Sequence, residues 1–462
     1  MARFELRIRS SDRQAHDSSP AGARLLVPLL PACLLLAATA AWCQQADSLP
    51  GAAGTGTAPG AGSRGELWRQ QREAKMASIQ PEKPGRLESL MLFVEKRGLN
   101  FEFQGIAPGI GNFPSGAGFA PEVRFWFPRV FDTPVDVQAI AAYSIYNYQM
   151  YRFQIGRILA LGPDELVGEG DTGGLSRFRG VSRRATDFFY YADVSYYYYP
   201  EEDFFGIGPD SKPEDRSNYL LETGALSGAV GYRANPWVVF GAGAGLVHPS
   251  LRSGKDDNVP PTQDVFAPGS VPGLEAAPDY YRYVVSALVD YRDVPGNAHN
   301  GGFYGFQVLR VDEKAGTEFE FTRYTFDARQ YISLGSPQRV LALWFLTSLD
   351  DADAGAQVPF YLMRALGGGH TLRGFQGYRF RDTHRLHLST EYRWEASPAL
   401  ELALFYDTGK VFPDRHEFNF ADLEDSYGFG IRFKTSSSTA MRVEVADSDE
   451  ATRFACRFSA SF

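Results

Sequence analysis

Hydrophobic and polar residues alternate along the chain from about residue 101 to its end. In the last segment, Phe454, Cys456 and Phe458 occupy even-numbered positions, whereas Arg453 and Arg457 occupy odd-numbered ones. These two sets of alternate positions are called the two parities of a segment. Successive side chains of a β-strand point to opposite faces, so this pattern predicts a strand with one apolar and one polar face. The closing strand of a membrane barrel and a half-buried strand of a soluble β-sandwich both show this alternation.

Sixteen such segments follow one another along the chain, and each predicts a strand. They are residues 101–106, 117–128, 135–145, 149–159, 185–199, 217–232, 237–247, 280–292, 302–312, 317–333, 339–349, 384–395, 399–409, 425–434, 440–446 and 452–462. Single-chain bacterial barrels have an even number of antiparallel strands, and about 9–11 residues cross a membrane when tilted. The pattern therefore predicts an all-β fold, a single 16-stranded antiparallel transmembrane β-barrel.

In the late segments, apolar and charged residues occupy different parities. In residues 399–409, for example, Leu402 and Leu404 lie on one face of the predicted strand, whereas Glu401 and Asp407 lie on the other. In a membrane barrel the apolar face meets lipid, whereas in a soluble barrel it points inward, and parity alone leaves both open. Connection lengths favour the membrane barrel, because long connections are expected at one end and short ones at the other. The long connections are 201–216, 248–279, 350–383 and 410–424, and only the stretch 162–184 is long on the side predicted to be short.

The first hundred residues have a different character. Residues 25–41 are apolar, follow Arg24 and run into small residues, so residues 1–43 are predicted to be a secretory signal peptide. Residues 51–62 consist of Gly, Ala, Thr and Pro and cannot bury a core, so residues 44–84 are predicted to be a flexible periplasmic linker. The barrel is then expected to comprise residues 85–462.

Composition and short motifs narrow the classes of function. The net charge is −9 and no basic stripe stands out, which argues against nucleic acid as a partner. The sequence has no Gly-x-Ser-x-Gly elbow, phosphate loop or dinucleotide motif. His384 and His387 would point to opposite faces of a strand, which disfavours a shared metal. We therefore expect no enzyme, no metal and no cofactor.

One long connection contains a motif with a distinct chemical requirement. The motif consists of Leu372, Arg373, Gly374 and Phe375, preceded by three glycines at 367–369 that permit a sharp reversal. If this loop enters the lumen, the guanidinium of Arg373 needs acidic partners, and Glu391 and Asp407 lie on the polar parity of adjacent strands. The alternative is that Arg373 is an exposed loop charge and the two carboxylates only line the lumen.

These residues resemble motifs of the BamA/TamA-like bacterial surface antigen superfamily. In that family the sixth extracellular loop folds into the lumen and ends in an Arg-Gly-Phe/Tyr tip, which Arg373 to Phe375 resemble. Glu391 to Arg393 resemble its Glu-x-Arg strand, and Phe405, Asp407 and Gly409 resemble its Phe-x-Asp-x-Gly strand. The resemblance covers about residues 101–462 and implies that Glu391 and Asp407 lock the loop through Arg373.

The resemblance also implies a function. It suggests that the protein assembles or translocates proteins, or lipids, at the bacterial outer membrane. Outer-membrane lipid is expected to contact the outer face of the barrel. Phe458 and Phe462 are expected to form the C-terminal signal read by the outer-membrane assembly machinery that inserts the barrel. The linker leaves no room for the family's POTRA modules. The alternative is a passive pore or structural barrel that works with a separate periplasmic POTRA-like or catalytic partner.

Overall fold

The computed structural model describes residues 105–111, 113, 116–157, 187–434 and 439–457. Sixteen strands in this part of the chain form one antiparallel sheet in sequence order, and two short strands pair within a loop. The strands are β1 Ile106–Ile110, β2 Pro121–Phe127, β3 Asp136–Tyr143, β4 Gln149–Arg157, β5 Asp187–Phe204, β6 Ser217–Arg233, β7 Val238–Ser253, β8 Tyr280–Asp290, β9 Gly301–Glu313, β10 Phe321–Ser333, β11 Arg339–Ala352, β12 Arg364–Leu366, β13 Phe380–Asp382, β14 His384–Ser397, β15 Leu400–Phe412, β16 Glu424–Lys434, β17 Thr439–Asp447 and β18 Arg453–Arg457. The predicted all-β barrel of sixteen antiparallel strands is confirmed.

Helices contribute little to the described part of the chain. Its single α-helix, α1 (Thr262–Val265), has four residues, and short 3₁₀ turns occur in several connections. Among the described residues, no helix is long and apolar enough to cross a membrane. The predicted signal peptide and linker, the stretch 162–184, and Phe458 and Phe462 lie outside the described residues.

Each predicted segment overlaps a strand, but several boundaries were wrong. Strand β1 begins at Ile106, where the predicted segment ended, and β5, β7, β11 and β15 extend beyond their predicted ends. Strand β7 continues through Pro249 to Ser253, although proline cannot donate a backbone hydrogen bond. Beyond Val247 this strand pairs with β6 alone and is an edge strand, where proline is tolerated.

The polar parity of the barrel wall points inward and the apolar parity points outward. Glu391 and Asp407 are fully buried, whereas Leu404 is 60% exposed and Phe429 is 53% exposed on the other face. A soluble barrel would bury the leucine and the phenylalanine and expose the carboxylates. The arrangement is that of a barrel whose outer face meets lipid, which resolves the question that parity left open.

The two ends of the barrel carry connections of different length. One end, called the loop end, carries residues 205–216, 254–279 and 353–383, whereas the other carries turns such as 234–237 and 334–338. The longest of these connections is called the lumen loop, residues 353–383 between β11 and β14, and it contains β12 and β13. This distribution matches the short and long connections expected from the sequence.

An apolar cluster joins the lumen loop to the barrel wall at the loop end. The ring centroid of Phe360 lies 4.8 Å from that of Phe204 and 4.9 Å from that of Tyr219. The hydroxyl groups of Tyr361 and Tyr280 are 2.7 Å apart and share a hydrogen bond. Buried residues of many strands complete the cluster, among them Tyr197, Tyr199, Leu221, Val247, Leu309, Val311 and Phe321. The first half of the lumen loop is therefore held mainly by apolar packing.

Candidate functional site

The side chain of Arg373 lies inside the barrel and is surrounded by acidic groups. Its Nε and Nη2 atoms each donate to a different carboxylate oxygen of Asp407 at 2.6 Å, which makes a bidentate pair. Its Nη1 atom donates to Glu391 Oε1 at 2.6 Å and to Glu444 Oε1 at 3.3 Å. A planar guanidinium matches this arrangement, since its donors point in fixed directions in one plane.

Strands β14 and β15 hold the two nearest carboxylates, Glu391 and Asp407, at nearby inward-facing positions. Ser389 pairs with Asp407 across the two strands, and its hydroxyl donates to Asp407 Oδ1 at 2.6 Å. Phe405 lies two residues before Asp407 on the same inward face, and its ring centroid is 3.5 Å from the guanidinium carbon of Arg373. The ring therefore adds a cation–π contact to the ionic pair.

The ion pair of Arg373 belongs to a larger buried charge network. Glu391 also accepts hydrogen bonds from Arg432 and Arg393, each at 2.7 Å. Glu444 accepts from Arg442 at 2.8 Å. The network then reaches the short turns, because Arg432 donates to Glu401 at 3.2 Å and Lys434 donates to Glu401 at 3.2 Å. Opposite charges thus alternate along the inner wall of β14 to β17.

Burial by itself would lower the pKa of Arg373, since it penalises the charged form. The carboxylates of Asp407 and Glu391 outweigh that penalty and hold the pKa of Arg373 well above its usual value. Arg373 is therefore a permanent cation in the lumen. Removing one partner from such a buried network leaves an uncompensated charge, which is far more costly than losing an exposed pair.

Small and apolar residues bring the loop close to the wall. Leu372 and Phe375 pack with Leu366, Phe380 and Val411 in a buried apolar cluster. A Cβ atom at Gly409 would lie 3.1 Å from the side chain of Leu366, so glycine leaves room there for the loop.

Gly374 lies close to the backbone and side chains of the late strands. A Cβ atom at this position would lie 2.7 Å from Ser426 Cβ and 2.8 Å from the carbonyl oxygen of Asp447. Any larger residue would push the loop away from this wall.

The last two strands of the sheet hold the backbone of the loop tip. Arg442 donates to the carbonyl oxygen of Gly369 at 2.6 Å. Arg453 on β18 and Ser448 both donate to the carbonyl oxygen of Gly374, at 3.1 Å and 3.0 Å. These contacts place the guanidinium of Arg453, which has the polar parity of the last strand, in the lumen.

A second set of polar contacts holds the returning half of the lumen loop. Gln376 donates to Asp203 Oδ2 at 2.8 Å, and Arg379 donates to Ser211 Oγ at 2.8 Å. Arg379 also donates to Glu450 Oε1 at 2.6 Å and so bridges the connections after β5 and β17. The loop is therefore fixed to both sides of the barrel.

The structure brings together all the residues that the sequence singled out in the loop motif and the two strand motifs. Sequence reasoning missed Glu444, Arg432 and Arg442, which complete the network. The sequence could have indicated these residues only through their positions, because they are charged and lie on the inward-facing parity of β16 and β17. The C-terminal signal at Phe458 and Phe462 stays a prediction, because both residues lie outside the described part.

Comparisons with known proteins agree with this architecture. The family model of the Omp85 superfamily domain matches residues 222–461, which is just over half of the chain. Among solved structures, the chain is similar to BamA from Haemophilus ducreyi lacking POTRA domains 1-3. The TM-score is 0.54 and the identity 14%, over 77% of this chain and 69% of that chain, so this likeness concerns the fold alone.

Two further structures show a weaker likeness. CdiB from Acinetobacter baumannii is 9% identical with a TM-score of 0.41, over 78% of this chain and 60% of that chain. CdiB from Escherichia coli is 10% identical with a TM-score of 0.43, over 74% of this chain and 58% of that chain. The chain thus spans less than two thirds of either CdiB structure. No curated protein matches the sequence significantly.

Proposed function

Because the chain belongs to the Omp85 superfamily, we propose that this outer-membrane barrel assembles or translocates proteins, or lipids, at the bacterial outer membrane. The observation that carries the proposal is the lumen loop, whose Arg373 is buried among Asp407, Glu391 and Glu444. A barrel that served only as an aqueous channel would not need a charged loop fixed across its interior. The proposed role is non-catalytic.

We propose that the late strands and the two end strands of the sheet have different roles. Strands β14 to β17 act as a rigid wall that carries the ionic network, and the lumen loop keeps the interior closed. Strands β1 and β18 stand at the two ends of the sheet order, and both are short, with five residues each in the described part. We propose that client molecules engage this seam rather than the lumen.

A separate periplasmic partner is the natural complement to this barrel. BamA from Haemophilus ducreyi has POTRA domains, of which domains 1-3 are missing from the compared structure, whereas residues 44–84 of this chain are predicted to be a short linker. We propose that a POTRA-like partner protein delivers clients and that the linker and signal peptide have the predicted boundaries. Co-purification from outer-membrane extracts, followed by mass spectrometry, tests whether a periplasmic protein with such modules associates with the barrel.

Loss of the protein is expected to change the composition of the outer membrane. In the bacterium that encodes it, a deletion strain should contain less of particular outer-membrane proteins or show altered lipid distribution. Quantitative proteomics and lipid analysis of outer-membrane fractions measure both, and wild-type protein expressed from a plasmid is the control. An outer membrane of unchanged composition in the deletion strain would contradict the proposed function.

The plugged lumen also predicts low electrical conductance. Sixteen strands can enclose an aqueous channel unless the interior is filled. Here the apolar cluster around Phe360 and Tyr361 and the network around Arg373 occupy the interior at two depths. Planar-bilayer recordings of purified protein are expected to show small and irregular currents. Steady, large and ohmic currents would instead favour the passive pore, and a variant lacking residues 356–381 supplies the open control.

A further inference from the structure

The connection between β15 and β16, residues 413–423, lies against the outer face of the barrel wall. Lys410, at the end of β15, has the same parity as the lipid-facing Leu404 and Tyr406, and its Nζ atom donates to Asn419 Oδ1 at 2.8 Å. Phe412 shares that parity and its ring centroid lies 6.2 Å from that of Phe418. This loop therefore folds outward, in contrast to the lumen loop.

A third contact ties the same loop to a neighbouring strand. Arg415 forms an ion pair with Asp351, which pairs with Thr322 on the outward face of β10 and β11. The loop thus covers the upper outer surface of β11, β14 and β15. Its contacts with Lys410 and Phe412 agree with the burial of these two outward residues.

This outward loop exposes two aromatic rings. Phe420 is 63% exposed and Phe418 is 40% exposed, and their ring centroids lie 6.3 Å apart. Two neighbouring exposed phenylalanines beside charged residues such as Asp414, Arg415 and Glu417 are unusual for a surface that meets only water. The same combination suits a membrane interface, where apolar rings enter the boundary between headgroups and acyl chains.

The height of the loop on the wall agrees with that interface. Trp394 and Leu402 pair across β14 and β15 near the short turns, and Trp394 is 45% exposed, as in a lower aromatic girdle. Lys410 lies eight positions further along β15, which for a tilted strand corresponds to about 20 Å of height. The apolar band of such barrels is about 25 Å tall, so Asn419 and its neighbours lie near the upper boundary of the band.

From these contacts we infer that Phe418 and Phe420 form a lipid anchor that inserts into the outer leaflet beside β15. The surface continues the lipid-facing wall formed by Leu404, Tyr406 and Tyr427 and is covered by lipid rather than by a protein. The anchor lies on the outer side of the strands that bind Arg373 on their inner side. It therefore fixes in the membrane the part of the wall that also holds the lumen loop.

Spin labels measure whether these positions contact lipid. In a variant whose native cysteines are replaced by serine, Phe420→Cys and Phe418→Cys are labelled separately with a nitroxide. The proteins are reconstituted into vesicles of phosphatidylethanolamine and phosphatidylglycerol. The accessibility of each label to oxygen and to a water-soluble nickel chelate is then compared. Leu404→Cys is the lipid-facing control, and Val265→Cys, in the connection after β7, is the control at the loop end outside the membrane.

The lipid anchor predicts that at least the label at position 420 gives an oxygen-to-nickel ratio close to that of the Leu404→Cys label. Ratios at both positions equal to that of the Val265→Cys label would overturn the inference and leave the surface free for a protein partner. Low accessibility to both reagents at both positions would also overturn it, because the rings would then be covered by protein. Heat-modifiable migration on gels verifies that every labelled variant has folded.

Discussion

Arg373→Glu is expected to lower the free energy of unfolding of the barrel by at least about 3–5 kcal/mol, the cost of breaking a buried ion pair. The substitution replaces the cation with a fourth carboxylate among Asp407, Glu391 and Glu444. The lumen loop should leave its site, and its buried arginines Arg379 and Arg381 should become substrates for trypsin. Denaturant unfolding followed by tryptophan fluorescence, together with limited trypsin digestion, measures both effects.

The control for this variant is Arg415→Glu, which also reverses an arginine in a connection at the loop end. Arg415 pairs with Asp351, but both side chains are about half exposed, so the expected change is within about 1 kcal/mol. Asp407→Arg should reproduce the effect of Arg373→Glu from the other partner. If neither Arg373→Glu nor Asp407→Arg changes stability or protease resistance, the loop lock does not exist.

The second large effect is expected for Glu391→Ala. This carboxylate accepts hydrogen bonds from Arg373, Arg393 and Arg432, so its removal leaves three buried guanidinium groups close together. Breaking a buried ionic network by deleting one partner costs about 3–5 kcal/mol. The midpoint of denaturant unfolding should therefore fall strongly while the slope of the transition stays unchanged.

Glu395→Ala is the matched control on the same strand. Glu395 is partly exposed and pairs with Lys434, which keeps Glu401 as a second partner, so little stability should be lost. Equal effects of Glu391→Ala and Glu395→Ala would mean that position along the wall is unimportant and that the network is not a specific anchor. Glu391→Gln removes the negative charge but preserves the size of the side chain. Comparing it with Glu391→Ala therefore separates the effect of the lost charge from the effect of the lost packing.

The strand pattern could be predicted from the sequence because a barrel wall imposes a strict two-residue period. Strand β15 shows this period without interruption in Glu401, Leu402, Leu404 and Asp407. In the structure the acidic residues face inward and the leucines face outward, as expected for a barrel surrounded by lipid. The ends of the strands were less predictable. Strand β7, for example, continues past the predicted end at residue 247 and through Pro249, because a strand with one neighbour tolerates proline.

The candidate site was predicted only in part, because parity identifies the face of a residue but not its partner. Arg373, Glu391 and Asp407 could be grouped through the resemblance of their motifs to a known family. Glu444 and Arg442 carry no such motif, and their distance in space from Arg373 depends on the register of β16 and β17. Residues 413–423 fold onto the outer face of the barrel through contacts such as that between Lys410 and Asn419. The alternation of polar and apolar residues gives no indication of such contacts.

The position of Arg373 in the chain has a consequence for how the barrel forms. Its acidic partners all follow it, Glu391 by 18 residues, Asp407 by 34 and Glu444 by 71. The complete set of three carboxylates therefore exists only when β17 is in place, and the loop tip also needs Arg442 and Arg453 of the last two strands. Full burial of this cluster is therefore coupled to docking of the last strands, which we expect to disfavour sealing of an incomplete barrel.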